Sequence, residues 1–209
     1  NPNSAVDLRL TALKAEPSAP RTSTPYAAGR APLTATAEHR AWAHAVSTQY
    51  RIAPHAALVL VQHTARAAQS YDLELSLLLA IIGVESGFNP LAQSPVGAQG
   101  LMQVMPDVHA ERFDLEAGRA DPLDPMISTT VGAAILREYW DLCRGERVCA
   151  LQRYNGALFD RSARYAQRIG ETENRLRAAA GRPLVPARLV TMASALRDLS
   201  PTPINSGPL

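Results

Sequence analysis

Residues 73–106 read LELSLLLAIIGVESGFNPLAQSPVGAQGLMQVMP, and their character changes at Glu85. From Leu73 to Val84 almost every position is apolar, which predicts a helix buried on all sides at the centre of a helical domain. The run is shorter than the roughly 18 apolar residues that mark a membrane span. Asp72 is placed to cap this helix, over Leu73–Glu85, and Glu74 to favour its positive end. Beyond it, Gly87, Pro90, Pro95, Gly97 and Gly100 break regular structure before Leu101–Met105. Glu85 closes the most apolar helix of the chain. A carboxyl desolvated there would have a raised pKa and keep its proton near neutral pH, ready to donate it. A glutamate at a helix end can equally reach solvent, and position alone does not choose between the two.

Working outward, Ala37–Tyr50 predicts a first helix, stopped ahead of Pro54 because the residue before proline avoids helical angles. Pro54 suits the start of a second helix, through Leu58, Val61 and Ala65 to about Ser70. Downstream, periodicity predicts helices at Val108–Phe113, Ile127–Leu142, Cys149–Asn155 and Ser162–Ala180. A last amphipathic one is predicted at Ala187–Leu199, with Leu189, Met192, Ala195, Leu196 and Leu199 on one side. Residues 1–36 are rich in Pro, Ser and Thr and predict a flexible tail with a short helix at Val6–Ala15. The domain proper is expected over 37–180, with a C-terminal helix and tail over 181–209. The first residue is Asn1 rather than Met, as after removal of a leader, and no signal pattern stands at this end.

Of the 209 residues, 46% are hydrophobic, enough for one core. Ala and Leu dominate them, which favours helices over sheets. Lys14 is the lone lysine and the net charge is +2. Arginines thicken between Arg137 and Arg188, and they read either as solvated helix faces or as help on an anionic polymer. No concentrated basic patch with interleaved aromatics points to nucleic acid. His39, His44, His55, His63 and His109 are scattered and predict no metal site, and no cofactor is expected. Ser86 lies in no G-x-S-x-G elbow.

The run ESGFNPLAQSPVGAQGLMQVMP, 85–106, carries more than its periodicity. It holds the pair Glu85-Ser86, the turn Phe88-Asn89-Pro90 and the Gly-Ala-x-Gly-Leu-Met-Gln segment from Gly97 to Gln103. DPMISTTVGAAILREYW (124–140), RYNG (153–156) and RYAQRI (164–169) follow in order. Over about residues 71–170 the chain resembles the soluble-type lytic transglycosylases of bacterial cell walls, a family related to goose-type lysozyme. The resemblance implies a mainly α, lysozyme-like domain with a groove for glycan strands. It also implies that Glu85 is the sole catalytic carboxyl. Glu85 would protonate the oxygen linking N-acetylmuramic acid to N-acetylglucosamine, then take the proton of the C6 hydroxyl as it closes on C1 to a 1,6-anhydro end. Most glycosidases pair two carboxyls, and substrate-assisted enzymes are the exception. The substrate-contacting set implied is Ser86, Met102, Gln103, Tyr154, Asn155 and Tyr165, with Tyr165 orienting Glu85. By its own chemistry Met102, like Met105, reads as core packing. The Gln103 amide offers both donor and acceptor to the sugar, and Gly97, Ala98 and Gly100 would let backbone approach it closely.

The chain departs from the family pattern at Ser128 and Thr129, where Asn-Ile is usual, and at Arg153, where Ala is usual. It departs again at Gly156-Ala157 and at Arg161-Ser162. Cys143 and Cys149 flank CRGERVC. They read as a disulfide across a helix–helix loop or as two buried free thiols; the disulfide is the expectation, and with it an oxidising compartment, the periplasm or outside. The expected function is lytic cleavage of peptidoglycan by a monomer, with the tails available to dock a secretion or pilus machine. A hydrolytic lysozyme, with Asp107 or Asp114 holding its water, and a non-catalytic glycan-binding assembly subunit are the alternatives.

Overall fold

The computed structural model describes residues 34–113 and 120–186, all within one compact unit. The expected helices at Val6–Ala15 and Ala187–Leu199 lie outside the described residues. Seven helices form among those described, in the order α1 (Ala37–Tyr50), α2 (Pro54–Ser70), α3 (Leu75–Glu85), α4 (Ala110–Phe113), α5 (Pro125–Leu142), α6 (Arg147–Tyr154) and α7 (Arg164–Ala179). No strand forms among the described residues beyond two isolated bridges, Gln93 with Gln99 and Gln99 with Val104.

α3 is the axis of the core. Leu77, Leu78, Leu79, Ala80, Ile81 and Ile82 are each at most 1% exposed, so every side of the helix is covered, with α2 and α7 packed against it. Each of the five large side chains contributes roughly 2 kcal/mol by leaving water, an upper figure because the unfolded chain is already partly collapsed. Gly83 lets Tyr50 lie against the helix, since a Cβ there would stand 2.1 Å from the Tyr50 hydroxyl oxygen. Tyr50 in turn packs on Phe88, ring centroids 4.7 Å apart. The last turn of α3 is thereby held from outside, which fixes where Glu85 points.

Helix boundaries follow local chemistry. Thr36 and His39 form a reciprocal capping box on α1, satisfying two otherwise orphan donors. Asp124 caps α5 by accepting from Met126 N at 2.8 Å and Ile127 N at 3.2 Å, with Pro125 at the first turn, so α5 begins two residues before the expected Ile127. Asp72 does not cap α3. It adopts φ 50, and Leu73 N donates back to Ala68 O at 2.9 Å, so Leu73 closes α2 and α3 starts at Leu75. α7 starts at Arg164, not Ser162, because the Asp160 carboxylate accepts from Ser162 N and Oγ, holding Ser162 in a turn. α4 is shorter than expected at its start, where Val108 N turns back to Met105 O. The disulfide Cys143–Cys149 is formed. It joins the residue that caps the end of α5 to the first turn of α6, which begins at Arg147, two residues ahead of the expected Cys149.

Candidate active site

An open cleft of about 460 Å³ lies between the loop after α3, the side of α5 and the end of α6. Glu85, Gln103, Tyr139, Tyr154 and Asn155 all line it, with Ala98, Val104 and Ile135 as apolar wall. Glu85 is half-buried, and its Oε1 accepts a hydrogen bond from the Tyr165 hydroxyl at 2.5 Å. Burial pushes the Glu85 carboxyl above the usual glutamate range, while the Tyr165 hydrogen bond and the Arg168 charge pull the other way. Desolvation wins, so the proton-bearing form is favoured. Tyr165, on α7, is 5% exposed. Its hydroxyl is held well above its ordinary range by burial and then by the Glu85 charge, so it stays a donor.

Three segments meet around this carboxyl. Tyr154, at the end of α6, donates to Met102 O at 2.8 Å, tying α6 to the loop of residues 97–103. Burial and the Glu85 charge raise its hydroxyl well above the ordinary range too. Asn155 ends α6, exposed to the cleft. Gln103 sits at φ 48. Its Nε2 donates to Gly100 O at 2.9 Å and Ala92 O at 3.1 Å, which commits both amide hydrogens to the loop. Only Oε1 remains uncommitted toward the cleft, an atom that can accept but not donate. Ser86 Oγ donates to Ile82 O at 3.1 Å. It steadies the end of α3 and does not line the cleft.

Met102 and Gly100, both expected at the groove, face the protein's own interior instead. Met102 is fully buried, 0% exposed, and packs against Gly132 of α5, where a Cβ would stand 2.6 Å from its sulfur. A groove contact by the Met102 side chain is thus excluded, and only its carbonyl serves the site. Gly100, at φ 75, faces Pro122 O and Ser128 Oγ, which a Cβ would meet at 2.3 and 2.5 Å. Its close approach is to the protein's own backbone, not to a sugar. Ser128, 1% exposed, accepts from Met102 N at 3.3 Å, so this departure from the family pattern secures the loop from beneath. Thr129 is likewise buried, its hydroxyl donating to Pro125 O.

Tyr139, His109, Ile135 and Arg153 also line the cleft. Tyr139 and Ile135 carry no local signal, since on α5 an inward Tyr or Ile has the same spacing as core, and His109, just ahead of α4, stands in no motif. Burial lowers the His109 imidazole from its ordinary pKa, with Glu111 opposing. Asp107 is exposed and lines a separate cavity with Gln99 and Pro122, and Asp114 lies outside the described residues.

A helical domain built round one desolvated glutamate at the head of an open cleft has the build of a lysozyme-like protein. The chain belongs to the Transglycosylase SLT domain family, which it matches over residues 62–175, more than half its length. Over 80 residues it is 44% identical to a membrane-bound lytic murein transglycosylase C of Actinobacillus pleuropneumoniae, covering 34% of this chain and 22% of that protein. Over 89 residues it is 33% identical to the soluble lytic murein transglycosylase of Escherichia coli K12, covering 40% of this chain and 14% of that one. Among solved structures it resembles the lytic transglycosylase Slt of Pseudomonas aeruginosa, an inactive mutant. There the TM-score is 0.51 at 25% identity, over 57% of this chain and 24% of that one. The 70 kDa soluble lytic transglycosylase of E. coli shares the fold at TM-score 0.52 and 22% identity, over 70% of this chain and 29% of that one. The chain thus spans about a fifth of the length of the first of these relatives. The fold is lysozyme-like and mainly helical.

Proposed function

We propose that the protein cleaves the glycan strands of peptidoglycan as a lytic transglycosylase, with Glu85 as its single acid/base. The observation that carries this reading is Glu85 itself, the one carboxyl among the described residues that line the cleft, desolvated and held by Tyr165. A protonated carboxyl at that point suits donation to the oxygen between N-acetylmuramic acid and N-acetylglucosamine. The carboxylate left behind can then accept the proton of the sugar's C6 hydroxyl as that oxygen closes on C1. The neighbouring N-acetyl carbonyl stabilises C1 meanwhile, as in substrate-assisted glycosidases. No water is consumed, and the new end is 1,6-anhydro. Gln103 Oε1 accepts from a sugar hydroxyl or amide, Asn155 hydrogen-bonds the N-acetyl group, and Tyr154 and Tyr165 keep the wall and the acid in place.

The names of the relatives, murein transglycosylases in each case, support the substrate class. A hydrolytic lysozyme would need a second group to hold water, and exposed Asp107, in another cavity, does not supply it. A purely binding subunit would gain nothing from a desolvated acid. A periplasmic or extracellular site of action agrees with the disulfide, and no helix among the described residues is long and apolar enough to cross a membrane. Service to a secretion or pilus machine, by a monomer, is the finer part of this proposal. Loss of recruitment on removing residues 1–33, with wall cleavage intact, would support it, and unchanged recruitment would count against it. The main test is release of soluble fragments from purified peptidoglycan. The intact protein should release them and Glu85→Gln should not, whereas equal release by both would remove Glu85 from the chemistry.

A further inference from the structure

Arg153 is the unmatched charge of the cleft. It is exposed and lines the cavity beside Tyr154, Asn155 and Gly156, and its charge acts on the Tyr139 hydroxyl. The anchoring of Tyr154 to Met102 O fixes the end of α6 and so keeps residue 153 at the wall. Arg112, Arg137, Arg147, Arg164, Arg177 and Arg182 are each paired with a carboxylate. The Arg153 guanidinium takes no ion pair or hydrogen bond among the described residues, and its carbonyl is engaged by Gly156 N and Asn155 N at the end of α6.

The cleft itself does not neutralise it. Its one carboxyl among the described residues, Glu85, is held toward the protonated form by burial, and His109 is held toward the neutral form. The rest of the lining is uncharged, much of it Val96, Val104, Val108 and Ile135. A guanidinium in such a setting draws an anionic group of the bound molecule, and its planar fork fits a carboxylate with two parallel N–H donors. Phosphate would fit the fork too, but the glycan on which this inference rests carries carboxylates near the scissile bond.

We propose that Arg153 is a specificity residue that takes a carboxylate borne by the glycan strand beside the cleaved bond, so that the cleft prefers acidic strands to neutral ones of like backbone. The inference rests on the glycan-cleaving reading above. Two sources offer this chemistry, the free lactyl group of a peptide-free muramoyl sugar and the carboxylates of an attached peptide.

The test measures binding to Glu85→Gln protein by calorimetry with three probes: peptide-free peptidoglycan strands, peptide-bearing strands, and an N-acetylglucosamine oligomer without carboxylates. Adding Arg153→Ala should weaken binding of an acidic probe about tenfold or more relative to the neutral one, the scale of a hydrogen bond to a charged group. Arg153→Lys should recover part of the preference and Arg153→Glu should lose more than Ala. Loss confined to peptide-free strands assigns the lactyl carboxylate. Loss confined to peptide-bearing strands assigns the peptide, and loss on both means that either is accepted. No loss, or the same loss on all three probes, overturns the proposal. Turnover by protein retaining Glu85 separates the two readings. If it releases nothing while Arg153 still sets the binding preference, the catalytic reading fails and this one stands. If it cleaves and the acidic-to-neutral ratio of kcat/KM ignores Arg153, this one fails alone.

Discussion

The burial that would suit Glu85 to donate a proton has a cost in stability, and the two can be separated. Its folded pKa is raised above the unfolded value, chiefly by burial. The native state therefore keeps a proton that the unfolded chain releases, and stability falls as pH rises from the unfolded pKa toward the folded one. Glu85→Gln has no such loss and can still accept the Tyr165 hydrogen bond. It should melt above the unmodified protein at pH values beyond the raised pKa and alongside it at pH below the ordinary glutamate pKa, by calorimetric scans across pH. Tyr165 works in the opposite sense, because its hydrogen bond favours the carboxylate. Proton donation needs the protonated form, so activity falls as pH rises through the Glu85 pKa, at a point above the usual glutamate range. Tyr165→Phe should move that alkaline limb to still higher pH and lower kcat about tenfold, for a lost charge-assisted hydrogen bond. A pH profile of kcat/KM reads the first and saturating kinetics the second, and a limb moving to lower pH would contradict the role given to Tyr165.

Between elements, the contact that shapes the cleft is α5 against the loop of residues 97–103. Gly132 admits the Met102 side chain, and the Met102 carbonyl receives Tyr154. Gly132→Ala would set a Cβ 2.7 Å from the Met102 Cβ as well as against its sulfur, so rotation of a flexible end does not relieve it. The variant should lose about 1–3 kcal/mol in urea unfolding and bind glycan more weakly, because the loop and Tyr154 move together; unchanged stability would contradict the packing described. Local chemistry sets some helix bounds and tertiary contacts set the others. α1 and α2 match their expected bounds, since Thr36, Arg51 and Pro54 act locally. The start of α3 does not, because Leu73 is claimed by Ala68 of the preceding helix, and Asp72 offers a cap that tertiary structure leaves unused. The end of α3 at Glu85 was legible from apolar content. The commitment of the Gln103 amide to Ala92 and Gly100 was not, because it depends on how the intervening loop folds back.

For the whole molecule, the ionic cluster at the base of α7 ties helices distant in sequence. Glu173, 1% exposed, accepts from Ser76 Oγ at 2.6 Å and Arg177 Nη1 at 3.2 Å, and pairs with Arg147, so α3, α6 and α7 share one buried carboxylate. Removing one member leaves its partners desolvated and unpaired, and Glu173→Ala should cost about 3–5 kcal/mol in denaturant unfolding. Replacing Glu173 and Arg147 together by apolar residues of similar size should recover much of it; a negligible loss in the single variant would mean that the cluster is solvated in solution. A helical period puts Glu173 on a surface as readily as in a core, so only the assembled fold reveals this cluster, while the central burial of α3 was plain from its composition. Non-hydrolytic cleavage through Glu85 is read by mass spectrometry of peptidoglycan digested by the full chain. The expected products are muropeptides one water lighter than reducing-end products, absent with Glu85→Gln. Reducing ends, or the same lighter products from Glu85→Gln, would contradict it.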